Sequence, residues 1–516
     1  MNPMDITQSH SSSSLLQRYL SVMPPDRIES TAAAFYASLD TIGAVSPSIV
    51  QSIIKELADQ RANIKLIASE NYSSLAVQLA QGNLFTDKYA EGYAGHRFYA
   101  GCDNVDAVES EAADLGRTLF GADYVYVQPH SGADANLVAF LGILSATVES
   151  PALEKLGERN PSNVSAEDWE NLRQDFLGQR LLGMDYYSGG HLTHGYRHNF
   201  SSQLFEAHTY TVNRDTMVLD FDEIRRQAHE VRPRILLAGY SAYSRKIDFA
   251  RFRELADEVG ATFMVDMAHF AGLVAGKVFT GVYNPIPYAH VVTTTTHKTL
   301  RGPRGGMVLS TAEFAPAIDK GCPMVLGGPL PHVMAAKAVA LREALEPEFA
   351  HYAQKIVDNA RVLAEELGKR GMVVVTGGTD NHLVLVNVAA SYGLTGRQAE
   401  SALRSCGLTL NRNSLPFDPN GPWYTSGLRL GTPAVTTLGM GADQITEIAD
   451  IIASILREVT PVTVTKSDGD TTVSKAKFEL PESTADAARG RVRDLLSAYP
   501  LYPEIDLGLL AAHQAG

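Results

Sequence analysis

An α/β architecture, with a mainly parallel sheet covered by helices and a smaller C-terminal α/β domain after it, is the fold class this sequence predicts. Between about 105 and 300, short apolar runs alternate with stretches of helical periodicity, the pattern that builds parallel sheets. The chain has 516 residues, which at roughly 150 residues per domain calls for two or three folding units. Hydrophobic residues at 45% and charged residues at 20% are ordinary globular values and exclude a disordered or fibrous chain.

The first forty-odd residues hold a serine cluster, Ser11 to Ser14, and Pro24-Pro25, and are expected to form a mobile or loosely docked extension. Ser46 before Pro47 reads as an N-cap, and Ile49, Ile53, Ile54 and Leu57 then recur at helical spacing. The clearest unit runs from 235 to 269: ILLAG is a strand, Phe252, Leu255, Ala256 and Val259 form one helical face, Gly260 ends it, and TFMVD is a second strand. Strands are also read at 290–296 and 306–310, around a glycine-rich turn. A long helical stretch follows at roughly 331–370, then strands at 373–375 and 382–388 and a helix near 396–405. The expected domains are an N-terminal extension and arm over 1–60, a large domain over 61–330 and a small domain with its linking helix over 331–516.

Charge and cysteine usage narrow the partners. A net charge of -14 repels polyanions, so nucleic acid is not expected. Cys102, Cys322 and Cys406 show no CxxC spacing and suit a reducing, cytoplasmic setting. No run is read as approaching the roughly 18 apolar residues of a membrane span, and no basic region with an apolar core opens the chain.

The sharpest chemical feature is TTTTHKTLRGPRGG, 293–306, which sets Lys298 just after a strand. Lysine forms Schiff bases with carbonyl compounds when its ammonium is disfavoured, and His297, Arg301 and Arg304 lie close in sequence; the alternative is a solvated loop lysine. In VDMAH, Asp266 closes a strand with His269 three residues on, so it points into the cleft at the strand ends or caps the next helix. Ser131-Gly132-Ala133 lead from a strand into a helix, where free N–H groups can hold an anion. These are the three handles of pyridoxal phosphate: aldehyde, ring nitrogen and phosphate. The glycines around His191 and His194, with His198 beyond, argue against a helical metal site, so no metal is expected and a histidine stacked on an aromatic cofactor is preferred. Arg429 in LRLGTPA suits bidentate capture of a carboxylate, the alternative being a surface ion pair. Tyr89, Glu91, Tyr93, Phe98 and Tyr99 share one glycine-rich loop, 88–101, read as lining a ligand site or a domain interface, with Glu91 desolvated and available for proton exchange.

These motifs, with LIASENY, GCDNVD, YSAYS, VDMAHFAGL and GGTDNHL in the same order over roughly 46–460, strongly resemble serine hydroxymethyltransferase. The resemblance implies a fold-type I, aminotransferase-like large domain and a homodimer with shared sites, or a dimer of dimers. It implies pyridoxal 5'-phosphate as cofactor, tetrahydrofolate as cosubstrate, and reversible conversion of L-serine to glycine. Residue by residue it makes Lys298 the cofactor-bonding lysine, flanked by Thr295 and His297, and Asp266 the partner of the ring nitrogen. His191 would stack on the ring, Ser241 and His269 would face its phenolic oxygen, and Ser131, Gly132 and Ala133 would hold the phosphate. Tyr89 and Gly328 would reach the cofactor of the neighbouring subunit. Ser69, Tyr89, Glu91 and Arg429 would bind the amino acid, with Glu91 and Tyr99 beside the reacting group. Tyr186, Gly190, His191, Leu192, Asn413, Gly421, Pro422 and Trp423 would meet folate.

Four positions depart from the family pattern: Phe98 for tyrosine, Ala133 for serine, Tyr240 for phenylalanine, and the GPW at 421–423. The longest departure is an insertion at about 145–178, where Ser165 and Asp168 suggest a capping box and Trp169, Leu172 and Phe176 fall on one helical face, read as a packed surface helix or as a partner-binding or site-covering element. Other readings are a folate-independent aldolase or racemase, since orientation selects the bond broken, and a catalytically silent scaffold; the presence of Lys298, Asp266, Arg429 and Glu91 opposes the last.

Overall fold

The computed structural model describes residues 14–465 and 470–514, so most of the serine cluster lies outside the described residues. The chain forms two compact units, one from the residues up to 64 together with those from 493 onward, the other from 65 to 492. From Ser14 onward, the described part of the first unit corrects the expectation of a loose extension. Ser14 caps the helix Leu15–Val22 in a reciprocal capping box with Gln17, and the helices Ser30–Gly43 and Pro47–Ala62 follow. Leu15, Tyr19, Tyr36 and Leu39 are buried, and the Tyr36 hydroxyl accepts from the Asp506 N–H at 2.7 Å, so apolar burial, not local pattern, orders this segment. Ser46 stands at the N-cap position of Pro47–Ala62, but its side chain caps nothing and lies 3.4 Å from Ser48 Oγ.

The second unit is built on a seven-stranded sheet: β1 (Tyr124–Tyr126), β2 (Arg180–Met184), β3 (Glu206–Tyr210), β4 (Ile235–Gly239), β5 (Thr262–Asp266), β6 (Val291–Thr295) and β7 (Gly306–Ser310), in the order β1-β7-β6-β5-β4-β2-β3. Strands β2 to β6 pair in parallel, and β7 runs antiparallel between β1 and β6. Alternate residues enter two cores. Leu182, Leu236, Ala238, Phe263 and Val265 join one, and Leu181, Ile235, Leu237 and Met264 the other. Both faces are covered, which is why these strands read as unbroken apolar runs.

A second sheet, wholly antiparallel, holds β8 (Val373–Val374), β9 (Leu383–Asn387), β10 (Asn411–Asn413) and β11 (Gly427–Gly431) in the order β8-β9-β11-β10. The long helix read at 331–370 is two, Pro331–Leu345 and Pro347–Lys369, because Glu346 before Pro347 is extended.

The helical run Gly132–Lys155 is 24 residues long and apolar enough to cross a membrane, contrary to the sequence reading. Its length comes from a π-helical turn, Ser145–Glu149, that joins Gly132–Leu144 to Ser150–Lys155. Its apolarity serves the core in this fold: Val138, Phe140, Ile143 and Leu144 are fully buried against β6 and β7 neighbours. In the insertion, Ser165 Oγ accepts from Asp168 N at the start of Ala166–Leu177; Leu172 is buried and Phe176 packs on the core, whereas Trp169 is 45% exposed.

The register sets the strand ends that matter. Asp266 pairs with Thr293 and Gly306 with Thr295, so the end of β5 lies beside the turn that carries Lys298. At Gly306 a Cβ would stand 2.2 Å from the Ser131 carbonyl oxygen, which leaves no room for any side chain. Gly306→Ala should therefore destabilise the protein by about 1–3 kcal/mol through overpacking; an unchanged urea midpoint would show that the backbone yields there freely.

Candidate active site

Asp266 at the end of β5 is buried and its Oδ2 accepts from Asn136 Nδ2 at 2.9 Å and His194 Nε2 at 3.1 Å, while Oδ1 accepts from the Ala268 N–H at 3.0 Å. His194 Nδ1 accepts from the His191 N–H, so Nε2 carries the proton that is given to Asp266. Burial alone would raise the carboxyl; the hydrogen bond from His194, with the neighbouring His191 and the hydrogen bond from Asn136, holds it well below the usual carboxylate range. His194, Asp266 and His191 offer ligand atoms within 4.8 Å of one another. In this chain two of them are spent on each other. The sequence reading missed Asn136 and Thr193, which complete the network through a 2.7 Å bond; both stand in motifs already quoted, but their sequence distance from Asp266 hides the contact.

Lys298 lies three residues past β6 and its Nζ donates to Thr295 Oγ1 at 3.3 Å. Its ammonium is pushed down to about 8 by burial and by Arg429 and Arg304, against the pull of Asp266. Arg301 does not take the expected part: it adopts φ 60° and stacks on the Tyr352 ring at 4.7 Å. The turn is fixed from behind, since Asn71 Nδ2 donates to the Lys298 carbonyl at 2.9 Å and Thr299 Oγ1 to that of His269, also at 2.9 Å. His297 is driven down to about 3 by burial and the cations beside it. Lys298 is thus a poised amine and not a solvated loop residue.

Arg429, in the middle of β11, reaches the same cleft: Nη1 donates to the Ser241 carbonyl at 2.8 Å and Oγ at 3.2 Å, and Nε to Asn411 Oδ1 at 3.2 Å. Among the described residues no carboxylate lies within ion-pair distance of it, and burial lowers its guanidinium to about 10. The surface ion pair is therefore excluded. Ser241 Oγ sits 3.4 Å from His269 Nε2, and His269 Nδ1 lies 3.2 Å from His382 Nε2. Burial, then neighbouring cations, keep both imidazoles neutral, His382 at about 3. His191 is lowered to about 4 by burial first. Ser69 is half-buried beside Ala68, which is pressed against Gly431 two residues beyond Arg429. Ser131 caps Gly132–Leu144 by accepting from Asp134 N at 3.1 Å, with Ala133 in the first turn, and a Cβ on Gly132 would stand 2.6 Å from Thr295 Cγ2.

A cleft of about 480 Å³ opens over Arg429, His191 and Ser241. Tyr186, Gly190, Leu192, Asn413 and Pro422 line it, which unites most positions expected to meet folate. Gly421 and Trp423 flank Pro422 in the helix Gly421–Tyr424; Trp423 is 60% exposed, with Arg397 and Arg412 over its ring. Tyr240, set where the resemblance has phenylalanine, accepts from Asn381 Nδ2 at 3.0 Å, so its added hydroxyl is satisfied.

The loop 88–101 stands apart from this cleft. Glu91 receives the hydroxyls of Tyr89 at 3.3 Å and Tyr99 at 3.4 Å, and Gly328 packs against the Tyr89 ring. Tyr89, Phe98 and Tyr99 are 57%, 67% and 44% exposed, so this chain alone does not exclude water from Glu91.

The donor set fits pyridoxal phosphate: a poised amine, an ionised buried carboxylate and a capped helix N-terminus whose Gly132 leaves space beside Thr295. A parallel α/β sheet with such a lysine at the strand ends defines the fold-type I class of pyridoxal-phosphate enzymes. A family model described as serine hydroxymethyltransferase matches residues 42–153 and 172–452, and the chain belongs to that family. It is 58% identical over 97% of its length to serine hydroxymethyltransferase of Treponema pallidum, covering 86% of that protein. It is also 58% identical to the enzyme of Mycolicibacterium smegmatis over 93% of this chain and 96% of the relative, and 51% identical to that of Chlamydia trachomatis over 96% and 99%. Family members are pyridoxal-phosphate-dependent one-carbon transferases. The unmatched stretch, 154–171, falls inside the insertion.

A buried neutral imidazole makes stability depend on pH. Below about 6.5 the unfolded chain takes up protons that His382 refuses until about 3, so stability falls as pH drops through that window, by up to about 1.4 kcal/mol per pH unit. His382→Gln, which keeps a polar group toward His269, should shrink the loss between pH 7 and 5 by about 1–2 kcal/mol in urea unfolding. An identical pH slope would show that His382 does not titrate.

Proposed function

We propose that this chain catalyses the reversible conversion of L-serine and tetrahydrofolate to glycine and 5,10-methylenetetrahydrofolate, using pyridoxal 5'-phosphate. The observation that carries it is two enclosed cations close enough to act on each other, Lys298 and Arg429, while the nearby carboxylates are already committed, Asp266 to His194 and Asn136 and Glu400 of the cleft wall to Arg412. Such a cleft favours an anionic ligand with a carbonyl for the lysine and a carboxylate for the arginine. When bound, the cofactor supplies the electron sink that weakens bonds at the amino acid α-carbon.

The residues then divide the work. Lys298 releases a proton near neutral pH and becomes nucleophilic at Nζ. Asp266, kept ionised, favours a positive charge on a ring nitrogen. His191, neutral and in the cleft wall, offers a flat face to an aromatic ring. Ser131, Gly132 and Ala133 present N–H groups and a helix dipole to a phosphate. Arg429 holds the substrate carboxylate and thereby sets which α-carbon bond faces the sink, with Ser69 alongside. Ser241 and His269 hold a phenolic oxygen, and Thr295 and His297 steady Lys298. The cleft lined by Tyr186, Leu192, Asn413 and Pro422 receives the folate.

A homodimer belongs to this reading. The exposed aromatics of loop 88–101, with Leu84 at 88% exposure, form an apolar patch that a second copy would cover, placing Tyr89, Glu91, Tyr99 and Gly328 at the neighbour's site. Water would then be excluded from Glu91. A cytoplasmic location is proposed as well, supported by three free cysteines.

The test is to supply purified protein with pyridoxal phosphate and serine, and to compare methylenetetrahydrofolate formation with formaldehyde release, with and without tetrahydrofolate. Folate-dependent transfer is expected; cleavage indifferent to folate would favour an aldolase. In the same assay Glu91→Gln should lower serine turnover by about a hundred- to ten-thousand-fold while sparing cleavage of a bulky 3-hydroxy amino acid. Near-normal serine turnover would remove Glu91 from proton transfer. Arg429→Lys keeps the charge but loses the fork, so serine binding should weaken by about 1.5–3 kcal/mol with little change in cofactor absorbance. Unchanged serine affinity would place the carboxylate elsewhere.

A further inference from the structure

Lys337 is a buried cation that the reaction as derived does not use. It lies on the helix Pro331–Leu345, is 1% exposed, and spends all three ammonium protons on backbone carbonyls: Val127 at 2.6 Å, Gly306 at 2.8 Å and Pro129 at 2.9 Å. Among the described residues no carboxylate lies within ion-pair distance. Glu109 and Asp134 act on it only from further off, and His130 and His297 are the titratable groups its charge disfavours. An unpaired ammonium in the interior is costly unless a counter-charge arrives.

The three carbonyls belong to one structure. Pro129 O also accepts from the Gly306 N–H at 3.0 Å, and Gly306 is pressed against the Ser131 carbonyl, so the lysine ties the end of β1 and the start of β7 to the turn that opens the helix Gly132–Leu144. In a trans peptide the N–H points away from its carbonyl. With Val127 O and Pro129 O drawn toward the lysine, the N–H groups of Gln128 and His130 are turned to the opposite side.

We propose that Lys337 is a positioning residue for the phosphate of the cofactor, fixing the Val127–Ser131 turn through three carbonyls and supplying from beneath it the buried positive charge that a phosphate dianion neutralises. The inference rests on the pyridoxal phosphate reading proposed above. Its lowered ammonium, at about 7 with only distant acids to oppose burial, agrees with a charge that awaits its partner.

Pyridoxal and pyridoxal phosphate differ only in that ester, so the ratio of their affinities isolates the phosphate seat from the rest of the site. Both would be titrated against the full-length apoprotein by absorbance. Lys337→Met should lower affinity for pyridoxal phosphate by about tenfold or more, the scale of one unit charge acting through protein, and leave pyridoxal affinity within about twofold. Equal loss for both would mark the lysine as a structural tie, and an unchanged ratio would also overturn the proposal. Gly305→Ala covers the case in which that variant does not fold: its Cβ would lie 2.6 Å from Lys337 Cε and push the ammonium off its carbonyls while keeping the charge. A reduced ratio there supports the proposal and an unaltered one sinks it. A wild-type protein with no preference for the phosphate ester would instead refute the cofactor reading itself.

Discussion

A carboxylate in a protein interior stays ionised only when donors surround it, and Asp266 meets that condition at the end of β5. Its three hydrogen bonds come from the Ala268 backbone, from Asn136 on the helix after β1, and from His194 in the loop after β2. Each donor lies on a different connection, so the negative charge can persist only if the strands keep their order. That charge in turn moderates Lys298, which would otherwise be driven lower by burial and by Arg429. The parallel sheet, the His194 loop and the lysine turn therefore form one electrostatic unit.

The antiparallel strand β7 supplies the second constraint. Parallel strands need long crossovers, but a reversal after β6 returns the chain within ten residues and makes a tight turn of Lys298 and its neighbours. Tight packing holds that turn. A Cβ on Gly272 would stand 2.2 Å from the Thr299 carbonyl, and one on Gly302 would stand 2.7 Å from that of Thr296. Close packing on both sides therefore holds the backbone that carries the lysine.

Charge explains the division between the two parts of the site. Lys298 and Arg429 are buried beside neutral imidazoles, whereas Glu91 sits among tyrosine hydroxyls on an exposed loop.

Much of this was legible in the sequence because it is local. ILLAG, TFMVD and GMVLS occupy β4, β5 and β7 residue for residue, since strands buried on both faces have no polar alternation to blur their ends. Lys298, Asp266 and Arg429 could be named because a charged residue closing or interrupting an apolar strand has few structural reasons to be there. What only the tertiary structure decided are the contacts between distant segments. The order in residues 14–64 depends on contacts with residues beyond 500, which no local pattern reveals. Asn136 and His194 become partners of Asp266, Arg301 turns to Tyr352, and three carbonyls close on Lys337, because strand order and register set those distances. Sequence spacing fixes which side chains share a strand or a helix; only the packed sheet brings polar groups 31 to 210 residues apart within hydrogen-bonding reach.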